Sequence, residues 1–431
     1  MYRKSTYHCW LTAAFSALIL MVALTFSGSV ITIYTGVIAD NLGMSRATLS
    51  VLNTLRTLTA SVLDLQFYRL LRRFSLKSLV LCGLMLNVTM LNLFSVSHSF
   101  PAICLVGIIG GFTSAFNGVI SVSLLVRNWF QKSQGVIMAA VMAFNGIGSA
   151  VVNPILSLLV SSHGWRVAFR SLSAVTLLLA VLSALFLHAQ PQDIGLLPYG
   201  AVGTAVTEEE APRKGRGPLH LFGNSLEARN LRALAFISAL FSLSELAVYN
   251  NLGPVILELG FTPIFALGTA ISCAALSNCV GKLAMGKVND RFGTEVMLKL
   301  WYGLCPVAVL SVILLQLYVH VWPALLCTIL IGWPAGIYTV SVPLVCSRLF
   351  PDKGIYVFAT SVCVAATNLA IAISNPLFHI FYDLSGTYIG ALLMALLLTL
   401  LCFLMVLRII SKNQLIFRRK NVSVKANGDL R

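Results

Sequence analysis

Gly281-Lys282-Leu283-Ala284-Met285-Gly286-Lys287-Val288-Asn289-Asp290-Arg291-Phe292-Gly293 closes an apolar run that begins near Ile264. In a soluble chain, the spacing G-x-x-x-D-R-x-G would carry little information. At the end of an apolar segment it reads as a helix terminus at a membrane surface: Gly286 lets a neighbouring helix approach, and Asp290 and Arg291 sit among headgroups. Working outward, the 431 residues are 58% hydrophobic and only 10% charged, with a mean hydropathy of +0.88. Soluble domains carry roughly a quarter charged residues, so a water-soluble globule is excluded.

Runs of spanning length recur along the whole chain. The first covers about 10–38 and is too long for a signal-peptide core, so it is read as a retained span. Others lie near 48–71, 79–97, 101–126, 136–160 and 167–187, then 231–257, 264–286, 296–319, 322–346, 356–381 and 388–410. The expectation is an all-α membrane protein with twelve transmembrane helices in two six-helix bundles, 1–187 and 231–410. Between them lies a polar, proline-containing linker, 188–230, with an acidic run at Glu208–Glu210 followed by Arg213, Lys214 and Arg216. Such a composition buries no core.

The 30 Lys and Arg outnumber the 14 Asp and Glu, and their placement decides what that excess means. Alternate gaps between runs, with both tails, hold 25 of the 30. This asymmetry puts both termini in the cytoplasm of a plasma membrane and leaves no need for a nucleic-acid partner. The basic tail, 411–431, is expected to lie on anionic lipid. Ten cysteines without ligand spacing read as packing residues, and seven scattered histidines form no cluster. No metal, cofactor or catalytic residue is expected, nor an enzyme; the chain is read as working as a monomer.

The halves read as copies. Gly43 and Gly260 are 217 apart, Arg73 and Arg291 are 218 apart, Phe130 and Phe350 are 220 apart, and Asn153-Pro154 and Asn375-Pro376 are 222 apart. A parallel duplication with its axis along the membrane normal is a transporter arrangement.

With these features in place, the sequence resembles the major facilitator superfamily. The opening stretch is similar to that family's signature after the eighth span. Its first-half counterpart is degenerate, with Tyr68, Arg72 and Ser75 at the Gly, Asp and second Gly positions. Asn128-Trp129-Phe130-Gln131-Lys132, Asn145-Gly146-Ile147-Gly148, Gly164-Trp165-Arg166 and Gln190-Pro191 through Pro198 resemble the monocarboxylate transporters and the oxalate–formate antiporter group. The resemblance implies a carboxylate-binding cation at Lys282. A second cation in the eleventh span is lacking, so a dicarboxylate held at both ends is not expected.

Ionisable residues at mid-depth cost about 2.5–3.5 kcal/mol each, so they demand a cavity or a partner. Lys282 lies nine residues before Arg291, roughly 13 Å from the surface at 1.5 Å per residue. The repeat offset, 282 − 64 = 218, places Asp64 at the same depth in the other half. Arg56 and Glu245 also fall near mid-span. One reading has Lys282 and Arg56 lining a central cavity for an organic anion, with Glu245 and Asp64 as their partners or as carriers of a proton. The other makes all four fixed interhelical ion pairs, with Asp64 satisfied by Arg69 and Arg72. An Arg56–Glu245 pair at the outer gate is one specific expectation. Tyr34, Asn53, Asn117, Tyr249 and Tyr338 are candidate hydrogen-bonding residues of the site, with Gly286, Asp290, Arg291, Gly293 and Asp64 assigned to gating. Efflux of an apolar or cationic compound, centred on Glu245, and a solute sensor stand as alternatives.

Overall fold

The computed structural model describes residues 2–34, 38, 41–44, 46–200, 225–262 and 264–413. Helices account for nearly all of them. In the first half these are α1 (Tyr2–Met21), α2 (Arg46–Arg73), α3 (Leu76–Val96), α4 (Phe100–Asn117), α5 (Val119–Trp129), α6 (Gln134–His163) and α7 (Trp165–Phe186). The second half holds α8 (Leu226–Leu243), α9 (Glu245–Asn250), α10 (Leu252–Glu258), α11 (Ile271–Phe292), α12 (Thr294–Leu315), α13 (Val321–Gly332), α14 (Ile337–Leu349), α15 (Lys353–Ser385) and α16 (Ile389–Lys412). A π-helical stretch, Val22–Ser29, continues α1 into Val30–Ile33, and another, Ile264–Ala270, leads into α11.

A helix satisfies its own backbone groups, which is what a bilayer demands. Among the described residues, nine helical stretches are long and apolar enough to cross a membrane. The sequence reading counted twelve. The difference lies in α2 and α11, which carry Arg56 and Asp64 and Lys282, Lys287, Asp290 and Arg291, and in α6, apolar over Gln134–Ser149. The charged helices α2 and α11 hold most of the candidate site.

Side chains on the outer faces are apolar and exposed, as at Leu178, Leu185, Leu326, Leu397 and Leu404, and so suit lipid contact. Buried residues such as Phe26, Phe67, Phe94, Trp129, Phe241 and Tyr356 form the interior. The repeat is visible in the backbone. Gly43 and Gly260 both take left-handed φ, 64° and 82°, and so do Gly164 and Gly386, 82° and 71°. L-residues with a Cβ avoid that region, which explains glycine at both copies.

Two helix pairs make the largest contacts between the halves: α2 packs on α15, and α6 packs on α11. In both pairs, a helix of one half meets one of the other.

The segment from His188 to Tyr199, at the start of the expected linker, is anchored to the end of α5. Leu187 and Pro191 are buried, Asn128 Nδ2 donates to Ala189 O (2.9 Å) and Trp129 Nε1 donates to His188 O (3.0 Å). Tyr199 bridges to Phe130 as an isolated parallel pair, its N–H on Trp129 O at 2.8 Å. Side-chain donors in the last turn of α5 thus satisfy carbonyls that composition alone left open. Residues from Ser225 belong to α8 and its cap. The acidic and basic runs at 208–216 and the tail beyond 413 lie outside the described residues. Trp10 rests against Phe130 and Tyr199, so the start of α1 shares this linker end of the molecule.

Candidate functional site

Arg56 is half-buried on α2. Its Nη1 donates to Ser114 Oγ on α4 at 3.1 Å, and its Nε has no partner. The guanidinium lies flat on the π-helical stretch at Gly28, where an added Cβ would meet Cζ at 3.3 Å. Gly107, Gly110 and Gly111 let α4 close on α2 at Leu52, Arg56 and Thr59, which sets the depth of this side chain. From the other half, Tyr338 at the start of α14 interacts electrostatically with Arg56. Tyr338 in turn neighbours Tyr249, whose hydroxyl faces the Asn278 amide. Arg56, Tyr249, Asn278 and Tyr338 are all half-buried.

Lys282 is placed differently. It is 5% exposed, with Nζ donating to Met142 O on α6 at 3.3 Å. Its stem lies over Gly336, in the interruption between α13 and α14, where a Cβ would come within 2.6 Å of Cε. Asp64 is also buried, and its Oδ2 accepts from Asn368 Nδ2 on α15 at 2.8 Å. One turn earlier on α2, Ser61 Oγ donates to Ala365 O at 2.9 Å. The repeat-matched residues Lys282 and Asp64 therefore each bond a residue of the opposite half.

At the linker end, Asp290 on α11 accepts from the backbone N–H groups of Gly135 (3.0 Å) and Val136 (2.9 Å), capping the N-terminus of α6. The preceding Ser133 is left-handed, φ 55°, and offers no side-chain cap, so the acid comes from the other half. Gly286 sits one turn before, where a Cβ would lie 2.5 Å from Gly135 O and from Ala139 Cβ. Arg291 is exposed over the Phe292 ring, and Gly293 ends α11 at φ 91°. Arg127 Nη2 donates to Pro351 O (2.6 Å), with its Cζ 4.1 Å from the Tyr356 ring centroid. The degenerate copy contributes packing: the Tyr68 ring is edge-on to Phe358 and touches Gly354.

Two expectations fare otherwise. Arg56 and Glu245 are not paired: Glu245 is fully buried at the start of α9, and neither carboxyl oxygen has a partner. Its electrostatic neighbours are Tyr249, Cys305 and Cys402, which place it inside the second half rather than opposite Arg56. Asn117 enters the α3 ladder, its amide donating to Val80 O and accepting from Leu84 N, both at 2.9 Å. It joins α4 to α3 and is not brought to the Arg56 cluster. Asn117→Ala should cost about 1–3 kcal/mol of stability through loss of these two buried hydrogen bonds while leaving solute affinity unchanged, readable by thermal unfolding with and without ligand. Tyr34 is buried near the end of the first apolar segment, and Asn53 lies on α2 one turn before Arg56.

The reading of the sequence overlooked Ser114, Asn278 and Asn368. Asn278 carried a signal, being one turn before Lys282; the other two did not. Among the described residues, no group of three or more His, Cys, Asp or Glu side chains could hold a metal ion.

Residues 15–354 match the sequence profile of the Major Facilitator Superfamily. A curated human relative, Monocarboxylate transporter 11, is 26% identical over 304 residues, 67% of this chain and 59% of the relative. The chain thus spans less than two thirds of that relative's length. Among solved structures, the proton:xylose symporter XylE aligns with a TM-score of 0.75 at 16% identity, covering 95% of this chain and 96% of that one. The E. coli fucose:proton symporter FucP aligns at 0.66 and 14%, covering 93% and 99%. At these identities the two structures establish likeness of fold.

Proposed function

The chain belongs to the major facilitator superfamily, and from that premise we propose that it is a twelve-span secondary transporter moving a small organic anion by alternating access. The two six-helix bundles, 1–187 and 231–410, rock about a central site. The favoured cargo is a monocarboxylate, carried across the plasma membrane by proton symport or exchange. Both termini are cytoplasmic, and the basic tail rests on anionic lipid. The chain works as a monomer and needs no nucleic acid.

The observation that carries this reading is Arg56, a half-buried guanidinium that forms no ion pair among the described residues and keeps an unpartnered Nε, with Tyr338 of the other half in its electrostatic surroundings. A charge at that depth demands a counter-charge, and a mobile anion supplies one. The human relative, a monocarboxylate transporter by name, supports the substrate class, and XylE and FucP, both proton symporters, support the coupling. Glu245 suits the proton. An ionised carboxylate with no partner in an apolar interior is costly, whereas the neutral acid is tolerated.

Uptake of labelled monocarboxylates into proteoliposomes tests this directly. Saturable flux, stimulated by acid on the side of entry, is expected. Glu245→Gln should keep exchange of the anion but lose its stimulation by a pH gradient. No flux and no binding for any carboxylate would remove the reading, and binding without flux would make the chain a sensor.

A further inference from the structure

We infer that the two intramembrane cations divide the work of that anion site: Arg56, with Tyr338 across the cleft, touches the carboxylate, and Lys282 is a positioning residue tying the halves together. The inference rests on the anion-transport reading and refines it. The sequence favours Lys282 as the binding group, but the geometry reverses the order.

The ammonium of Lys282 is occupied. Nζ bonds Met142 O in the opposite half, and the stem is seated on the backbone at Gly336. To reach a solute in the cleft it must give up both contacts. Arg56 is in the reverse position. Nη1 is held by Ser114 and the face of the fork by Gly28, which fixes the plane of the group and leaves its Nε edge without a partner. A planar guanidinium edge matches the two oxygens of a carboxylate in a way that an ammonium cannot. The π-helical stretch at Gly28 fits such a role, since single π turns gather at functional sites. Tyr338 belongs to the half opposite Arg56, so an anion between them bridges the halves. Lys282 and its repeat mate Asp64 both bond across the interface, one through α6 and the other through α15, as a matched pair of latches.

The test follows the full chain with two readouts: equilibrium binding of labelled propionate, and the distance between spin labels at Gln131 and Lys299, exposed positions on opposite halves at the linker end. Arg56→Gln should weaken binding at least tenfold with the distance distribution unchanged. Gly28→Ala, whose Cβ pushes on the guanidinium, should weaken it about three- to tenfold, giving a second reading if Arg56→Gln folds poorly. Lys282→Gln should bind within about threefold of wild type yet shift the distances toward a parted linker end, and Lys282→Arg should restore them. Normal binding by Arg56→Gln, or loss of binding by Lys282→Gln with unaltered distances, would overturn the division. A wild type that binds neither propionate nor any other monocarboxylate would overturn the anion reading itself.

Discussion

Gly286→Val should reduce transport to below about a tenth of the wild-type rate and widen the Gln131–Lys299 label distance. Gly286 is the point at which α11 crosses α6, and even a methyl group there would stand 2.5 Å from both Gly135 O and Ala139 Cβ. Two backbones meet, so no flexible side chain can yield. The helices must part, at a cost of about 1–3 kcal/mol for overpacking, which converts to roughly 5- to 150-fold against the closed linker end. Gly286→Ala should show the same direction with a smaller shift. Wild-type flux in the valine variant would mean that this crossing does not close during the cycle.

Much of the frame was legible in the sequence because it rests on local properties. Glycines matched by the repeat are glycines for one backbone reason, and Lys282 and Asp64, matched by the same offset, both prove to be cross-half contacts. What each polar group bonds was less legible, since its partner comes from a distant stretch. Asn117 looked like Tyr338 to hydropathy, yet one is spent on Val80 and Leu84 and the other faces Arg56. The Arg56–Glu245 pairing failed for the same reason: depth along a helix is readable, whereas the direction a side chain takes into the bundle depends on packing. The stretch 188–199 reads as the start of a linker from its prolines, and Asn128 and Trp129 supply donors to it that no local composition reveals.

Asp290→Asn should open the linker end, and the equivalent change at Asp352 should not. The N-termini of α6 and α15 at that end are capped in different ways. At α15, Asp352 accepts from Ile355 N at 2.9 Å, an acid in the same half and next to the helix it caps. At α6, the cap is Asp290 from the other half, reaching the N–H groups of Gly135 and Val136. This difference explains why Arg72 is tolerated where the repeat has Asp290: α15 caps itself, and Tyr68 fills the contact with Gly354 by packing. Only the α6 cap is broken when the halves separate. Hydrogen bonds to a charged acceptor contribute about 1.5–3 kcal/mol each, and an amide oxygen keeps part of that. Asp290→Asn should therefore cost the closed arrangement about 1–3 kcal/mol, a shift of roughly 5- to 150-fold. The label distance should lengthen and net transport fall at least fivefold. Asp352→Asn should lower thermal stability by about 0.5–2 kcal/mol through loss of a helix cap, with the distance distribution unchanged. Equal shifts from the two variants would mean that the linker end closes symmetrically and that the cross-half cap at α6 has no special part in it.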